Sequence, residues 1–266
     1  MTSGCHTKQQ FLKEDLTVVH QREIAPRIFE MILAGQMVAE MEVGQFLHLR
    51  VPDPSKLLRR PISISEIDKE KGQVTIVYRV ERAGTAILSK LEAGDSVDTM
   101  GPQGKGFDLS FLKAGQRALL IGGGIGVPPL VETAKQLQAK GVSVTSVIGF
   151  ATKDAVILEE KLRSYGDVYV TTDDGSYGRT GYVSTVVDEL DWQPDAVYSC
   201  GAPGMLRYVD SKFENHPHAY LSMEARMACG MGACYACVVP LRHQDQAANQ
   251  RVCEDGPVFE TGTIVL

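Results

Sequence analysis

The sequence lacks any apolar run approaching the roughly 18 residues that span a bilayer, so no membrane helix is expected. Its opening residues, Met1 to Lys8, lack the apolar stretch of a secretory signal. It has no block of basic residues, and its net charge of −6 argues against nucleic acid as a partner. Cysteine is scarce: 6 of 266 residues, too few for the disulfide framework of a small secreted scaffold. The chain is therefore expected in the reducing cytoplasm, where thiols stay free for metal. There is no internal repeat or low-complexity tract, and no evident acid–base constellation for a carbon substrate. What is present is ordinary in bulk. A hydrophobic content of 44% and a charged content of 23% belong to a soluble globular protein. The length suits two domains with a small appendage.

Four of the six cysteines stand near the C-terminus. Cys229, Cys234, Cys237 and Cys253 have the spacing C-x4-C-x2-C-x15-C. A plant-type [2Fe–2S] cluster uses a C-x4-C-x2-C run and a distant fourth Cys. Such a shell needs one tight loop that delivers several sulfurs to one place. Gly230 and Gly232 suit it, because glycine turns tightly and lets N–H groups approach sulfide. A four-thiolate zinc site stays open as an alternative. Zinc pairs usually come as two short hairpins, whereas here three cysteines crowd into nine residues and the fourth stands alone. The spacing favours a chain that moves electrons one at a time.

Residues from about 14 to 105 read as short strands rich in β-branched side chains: Leu16–His20, Arg27–Leu33, Phe46–Val51, Ile62–Ser65 and Gln73–Val80, with a short helix over Thr85–Leu91. Glycine and proline punctuate them, and the pattern suggests a small barrel or sandwich. Near residue 115 the texture changes. The strands Arg117–Ile121, Val142–Ile148, Asp167–Thr171 and Ala196–Cys200 alternate with helices over Leu130–Lys140, Leu158–Ser164, Val183–Leu190 and Met205–Glu214. That alternation predicts a parallel sheet with helices on both faces. The expected architecture is a β-barrel domain over 1–110, an α/β parallel-sheet domain over 111–221 and a small cysteine-bearing subdomain over 222–266.

Four motifs carry candidate chemistry. Gly122-Gly-Gly-Ile-Gly126 joins a buried strand to a helix, where free N–H groups and the helix dipole favour a phosphate. It is not the standard G-x-G-x-x-G, and a tight turn with no ligand is the alternative, but the alternation of strand and helix around it favours a nucleotide. Gly122, Gly123, Gly124 and Gly126 are its candidates. Asp173 and Asp174 follow the third strand of the sheet, where a carboxylate bonds ribose hydroxyls and repels a 2′-phosphate; a solvated acidic turn is the alternative. Cys200 and Gly201 end the next strand and can lie against a nicotinamide, though Cys200 also reads as a small core residue. In the β-rich half, Arg60-Pro-Ile-Ser63 places an arginine beside a serine at a strand edge, able to hold a pyrophosphate. Tyr78-Arg79 and Gly84-Thr85 follow it.

Taken together, a barrel with R-P-x-S and a GGGIG domain with a Cys-Gly strand end resembles the ferredoxin-NADP reductase superfamily. The segment Glu224-Ala-Arg-Met-Ala-Cys-Gly-Met-Gly-Ala-Cys-Tyr-Ala-Cys-Val-Val239, with Arg251-Val-Cys-Glu-Asp-Gly-Pro-Val-Phe259, narrows the resemblance to the electron-transfer subunits of type B dihydroorotate dehydrogenase. Gly101-Pro-Gln-Gly-Lys-Gly-Phe107 also fits. The resemblance implies FAD on the barrel, held by Arg60, Pro61, Ile62 and Ser63 and lined by Val77, Tyr78, Arg79, Gly84 and Thr85. It implies NAD at the sheet and a [2Fe–2S] cluster on the four cysteines. It further implies an FMN-containing catalytic subunit as partner, in a heterotetramer of two of each, serving pyrimidine biosynthesis. A related group serves NAD(P)H-dependent ferredoxin, sulfide or hydrogenase complexes, and some of its members replace one cluster cysteine with aspartate. All four are present here. Ala236 stands where relatives often have glycine, and the leading segment with Cys5, read as a surface thiol, has no counterpart. Met227, Met231 and Tyr235 are expected near the cluster, either against the partner or as a shield from water.

Overall fold

The computed structural model describes residues 12–242 and 248–266, so Cys5 lies outside the described residues. Six strands close a barrel: β1 (Leu12–Ala25), β2 (Ile28–Ala34), β3 (Phe46–Leu49), β4 (Arg60–Asp68), β5 (Gln73–Arg79) and β6 (Ser96–Gln103), with α1 (Ala83–Leu88) between the last two. Around the barrel the order is β1-β2-β5-β4-β3-β6, and the paired strands are antiparallel. Pro26 and Arg27 make the tight turn between β1 and β2. Arg27 takes a φ of 63°, and Glu23 Oε1 accepts its N–H at 2.6 Å. Leu16, Met31, Leu33, Leu47, Leu49, Ile64 and Ile76 fill the interior and are sealed from water.

The second layer begins with β7 (Arg117–Gly123), followed by α2 (Pro128–Ala139), β8 (Ser143–Phe150), α3 (Glu159–Arg163), β9 (Asp167–Thr172), β10 (Arg179–Thr180), α4 (Ser184–Val187), β11 (Ala196–Cys200), α5 (Pro203–Lys212) and β12 (Ala219–Ser222). After it come β13 (Val238–Pro240), β14 (Asn249–Arg251) and β15 (Val258–Glu260). The sheet order is β10-β9-β8-β7-β11-β12-β15. All its pairs are parallel except the last, where β15 returns from the cysteine segment and adds antiparallel to β12. The C-terminal subdomain is thus tied into the sheet.

Barrel and sheet share a packed seam. Ile28 and Val77 of the barrel join Leu120, Leu130, Val131 and Tyr198 of the sheet layer in one core. Glu132 on α2 is buried, and its Oε2 accepts the Ile67 N–H of β4 at 2.9 Å. Lys135 Nζ donates to the Ile67 carbonyl at 2.7 Å. These bonds tie α2 of the sheet layer to β4 of the barrel.

Several expected elements differ in extent. β1 runs well beyond Leu16–His20, because its flanks are solvated and carry little apolar pattern. The helix expected over Val183–Leu190 is the single turn α4. Strands β6, β12 and β15 were not expected at all.

Candidate functional site

On the barrel, β4 and β5 end side by side. Arg60, Pro61, Ile62 and Ser63 open β4, and Val77, Tyr78 and Arg79 close β5. With Thr85 of α1 they line a cavity of about 230 Å³. Phe46, Glu81, Ile125, Met223, Glu224, Ala225, Met227 and Pro257 complete its wall, so all three parts of the chain contribute. Arg60 donates to the carbonyls of Leu58 and Arg59, and no carboxylate among the described residues pairs with it. Its charge is free for an anionic ligand. Gly84 lies outside the lining but beneath Arg60: a Cβ there would stand 2.4 Å from the guanidinium, so only glycine lets Arg60 lie flat on α1. Tyr78 is buried and donates to Gln21 Oε1 at 2.8 Å, and burial pushes its phenol upward. It packs and positions; it does not titrate.

A larger cavity, about 790 Å³, opens at the carboxyl ends of β7, β8, β9 and β11. Gly123, Gly124, Gly126, Asp173 and Gly201 line it, with Phe150, Tyr182 and Tyr208 as aromatic walls. This is where ligands meet an open parallel sheet. Pro128 and Pro129 start α2; neither has an N–H and the Leu130 N–H donates to the Val127 carbonyl, so it is the helix dipole, not free first-turn N–H groups, that faces the glycine turn. Gly126 permits that turn: a Cβ would meet the Cys200 carbonyl at 2.4 Å. Three of the sequence candidates stand outside this lining. Gly122 is buried under Val127 and Leu130. Asp174 is spent on its own turn, accepting from the Ser176 N–H and hydroxyl. Cys200 is 1% exposed, and burial followed by the charge of Glu224 drives its thiol pKa upward. Of that strand end, Gly201 is the residue that meets the cavity.

Arg79, Ile125, Met223 and Glu224 border both cavities, which are therefore neighbours across one wall. Glu224 was not a sequence candidate. Its side chain reaches the open space, yet the protein encloses it enough that desolvation, helped by Glu81, holds its carboxyl above the usual range against the pull of Arg79. Nothing local in Glu224-Ala-Arg-Met marks it; only the return of the segment past both cavities does.

The cysteine loop is irregular and tightly turned. Gly230, Gly232 and Tyr235 all have left-handed φ values, 69°, 73° and 56°. The turns aim backbone N–H groups at sulfur: Met231 N–H donates to Cys229 Sγ at 3.4 Å and Gly232 N–H to Cys253 Sγ at 3.2 Å. Cys253 N–H meets Cys237 Sγ at 3.5 Å. Cys234 meets Cys229 and Cys253 meets Cys237, and the charge of Cys229 also reaches Cys253. Among the described residues no three His, Cys, Asp or Glu side chains converge as one ion would need. The four thiols would suit a two-iron group, which takes four thiolates, and the N–H groups aimed at them would stabilise its sulfur. N–H groups of Cys229 and Ala236 pull Cys234 down to about 7, while burial and then Cys237 push Cys253 up to about 12. A bound metal overrides that upward shift, since it takes the thiolate. Arg251 braces the loop, donating to the Gly232 carbonyl at 2.9 Å and lying over the Tyr235 ring. Met227 is buried against Cys237 and Cys253, whereas Met231 and Tyr235 are exposed.

Barrel, sheet and cysteine loop together define a flavin- and nicotinamide-type oxidoreductase with an iron–sulfur appendage. Family comparisons agree with each part. Residues 15–107 match an oxidoreductase FAD-binding domain, 120–211 an oxidoreductase NAD-binding domain, and 224–265 the iron-sulfur cluster binding domain of dihydroorotate dehydrogenase B. The dihydroorotate dehydrogenase B (NAD(+)) electron transfer subunit of Streptococcus thermophilus is 77% identical over 255 residues, covering 96% of this chain and 99% of its own. That of Geobacillus thermodenitrificans is 50% identical, covering 96% and 99%. The chain belongs to the family of dihydroorotate dehydrogenase B electron transfer subunits. Among solved structures, one from a study of flavin-based electron bifurcation by an NADH-dependent reduced ferredoxin-NADP oxidoreductase superposes with a TM-score of 0.83 at 27% identity, covering 94% of this chain and 89% of that one. Phthalate dioxygenase reductase shares the fold, at a TM-score of 0.65 and 19% identity, covering 91% and 94%.

Proposed function

We infer that this chain carries electrons between a dihydroorotate-oxidising, FMN-containing partner subunit and NAD+, in pyrimidine biosynthesis. The observation that carries the reading is the shared wall: one chain sets a barrel cavity, a sheet cavity and a cysteine loop against each other through Met223 to Met227. When bound, FAD bridges one-electron and two-electron chemistry, and a [2Fe–2S] cluster exchanges single electrons.

The chain's own residues supply position and charge. Arg60 and Ser63 hold a pyrophosphate at the head of β4, with Gly84 giving Arg60 its room. Pro61, Ile62, Val77, Tyr78, Arg79 and Thr85 wall the flavin. Gly123, Gly124 and Gly126 receive the phosphates of NAD, and Gly201 approaches its nicotinamide. Asp173 meets the ribose hydroxyls. Cys229, Cys234, Cys237 and Cys253 hold the cluster, and buried Met227 keeps water from it. Met231, Tyr235 and Val238, exposed on the same segment as exposed Cys234, form the partner's contact surface. No helix among the described residues is long and apolar enough to cross a membrane. The working assembly is a cytoplasmic heterotetramer of two subunits of each kind. Dihydroorotate is a mild donor, so the cluster potential is expected above the about −400 mV of plant-type ferredoxins.

Cofactor analysis of the purified chain tests the reading: acid-released flavin identified as FAD, with about two iron and two sulfide per chain. Zinc in place of iron, or no flavin, would contradict it. Asp173→Asn is expected to narrow the preference for NAD+ over NADP+ by about tenfold in kcat/KM, a loss of about 1.4 kcal/mol of discrimination. The bifurcating reductase neighbour favours a second reading, a subunit of a ferredoxin-linked reductase, in which NADH is oxidised but dihydroorotate is ignored.

A further inference from the structure

Six buried side-chain polar atoms have no hydrogen-bond partner among the described residues, and four of them belong to two neighbours: His48 Nδ1 and Nε2, and Gln103 Nε2 and Oε1. Both residues are 0% exposed. They stand on β3 and β6, at the bulge where the pairing slips between Phe46 and His48. Buried polar groups are almost always paired, so four unpaired atoms in one place call for a physical reason.

What they face is the cysteine loop. A Cβ on Gly230 would lie 2.4 Å from His48 Nδ1 and 2.8 Å from Gln103 Oε1. Imidazole and amide therefore press on the α-carbon of the residue after Cys229, and the left-handed turn at Gly230 brings the loop down on them. Two residues earlier on β3, Phe46 lines the smaller cavity and packs with Cys237 and Cys253. Pro61, paired with His48 across the ladder, lines the same cavity. The pair occupies the seam between that cavity and the loop. Burial, then the charge of Arg59, lowers His48 to about 4 against the pull of the Arg59 carbonyl, which lies too far off-line for a proper hydrogen bond, so the ring is neutral and carries one N–H. The Gln103 amide carries two more; Oε1 is its atom nearest Gly230, and an amide flip, which exchanges oxygen and nitrogen in the same volume, turns those donors on the loop.

We propose that His48 and Gln103 are positioning residues for the iron–sulfur group: they seat the Cys229–Cys234 loop and turn neutral N–H donors on it, stabilising its reduced form. This rests on the cluster reading proposed above. Hydrogen bonding around cluster sulfur tunes potential. The added electron makes the cluster more negative, so donors directed at it raise the potential, and neutral donors do so without burying a charge.

The test is a redox titration of the cluster, followed by electron paramagnetic resonance, in the assembled complex. It compares the unmodified protein with His48→Leu, His48→Gln and Gln103→Leu. Each leucine variant is expected to lower the reduced-to-oxidised ratio at fixed poise about tenfold, a shift of about 59 mV to more negative potential for one electron. Iron content should stay unchanged. His48→Gln keeps an N–H and is expected to recover most of the shift. Unshifted midpoints in both leucine variants overturn the proposal. If His48→Leu fails to load iron, Gln103→Leu decides by the same criterion. If the unmodified protein gives no reduced-cluster signal, the cluster reading itself falls; a normal signal with unshifted midpoints removes this inference alone.

Discussion

The barrel and the cysteine segment are ordered by different physics. The barrel closes six strands over a hydrocarbon interior in which Leu16, Met31, Leu49, Ile64 and Ile76 are sealed from water. Among the described residues, the cysteine segment has three three-residue strands and six residues in its buried cluster, two of them the cysteines Cys237 and Cys253, with Phe46 of the barrel as the seventh member. Hydrophobic burial accounts for the first. The second holds sulfur-directed N–H groups and left-handed turns in place with too little apolar area to do so alone. β15 anchors its far end to the sheet, and on the proposed reading the metal group supplies the rest of its order.

The largest expected effect separates the two. Chelating iron from the complex should raise amide exchange across residues 225–240 on the order of a hundredfold while β1 to β6 stay protected. Equal protection before and after would mean the segment is self-sufficient. Next, Ile64→Ala should cost about 2–5 kcal/mol in urea unfolding, by opening a cavity in a sealed core, with iron content unchanged at low denaturant. Smaller is Glu132→Ala, about 1–3 kcal/mol, because it strands the buried Ile67 N–H between barrel and sheet. The smallest concerns Asp98 on β6. Burial pushes its carboxyl up, but bonds from Arg59 and Lys13 outweigh that and leave it below the usual range. A depressed pKa adds stability that is full above the unfolded value of 3.8 and lost as pH falls through the folded one. Asp98→Asn should therefore cost about 1 kcal/mol at pH 7, discounted for partial exposure, and progressively less as pH falls below 3.8. A pH-independent difference would rule out the ion pair as its cause.

The same contrast explains what was legible in the sequence. The cysteine spacing, the glycine turn and the alternation of strand and helix are local patterns, and each sits where local patterning placed it. β6 was not legible, since Ser-Val-Asp-Thr-Met-Gly-Pro-Gln carries turn residues, yet its pairing with both β1 and β3 makes it a strand. β15 has three residues, too few for any periodicity. Asp174 and Asp173 were equivalent as letters; only the turn shows that Asp174 bonds Ser176 and Asp173 meets the cavity. His48 looked like one polar residue in an alternating strand. That it lies dry beneath Gly230 depends on contacts 182 residues apart in sequence.

The most direct test of the account is dihydroorotate-dependent reduction of NAD+ by the complex that co-purifies with this chain, with and without Cys234→Ser. The account predicts that NADH forms with the unmodified chain and ceases to form with the serine variant, while NADH oxidation by a dye that accepts electrons from the flavin persists in both. NADH-to-dye activity without any response to dihydroorotate in the unmodified complex would contradict it.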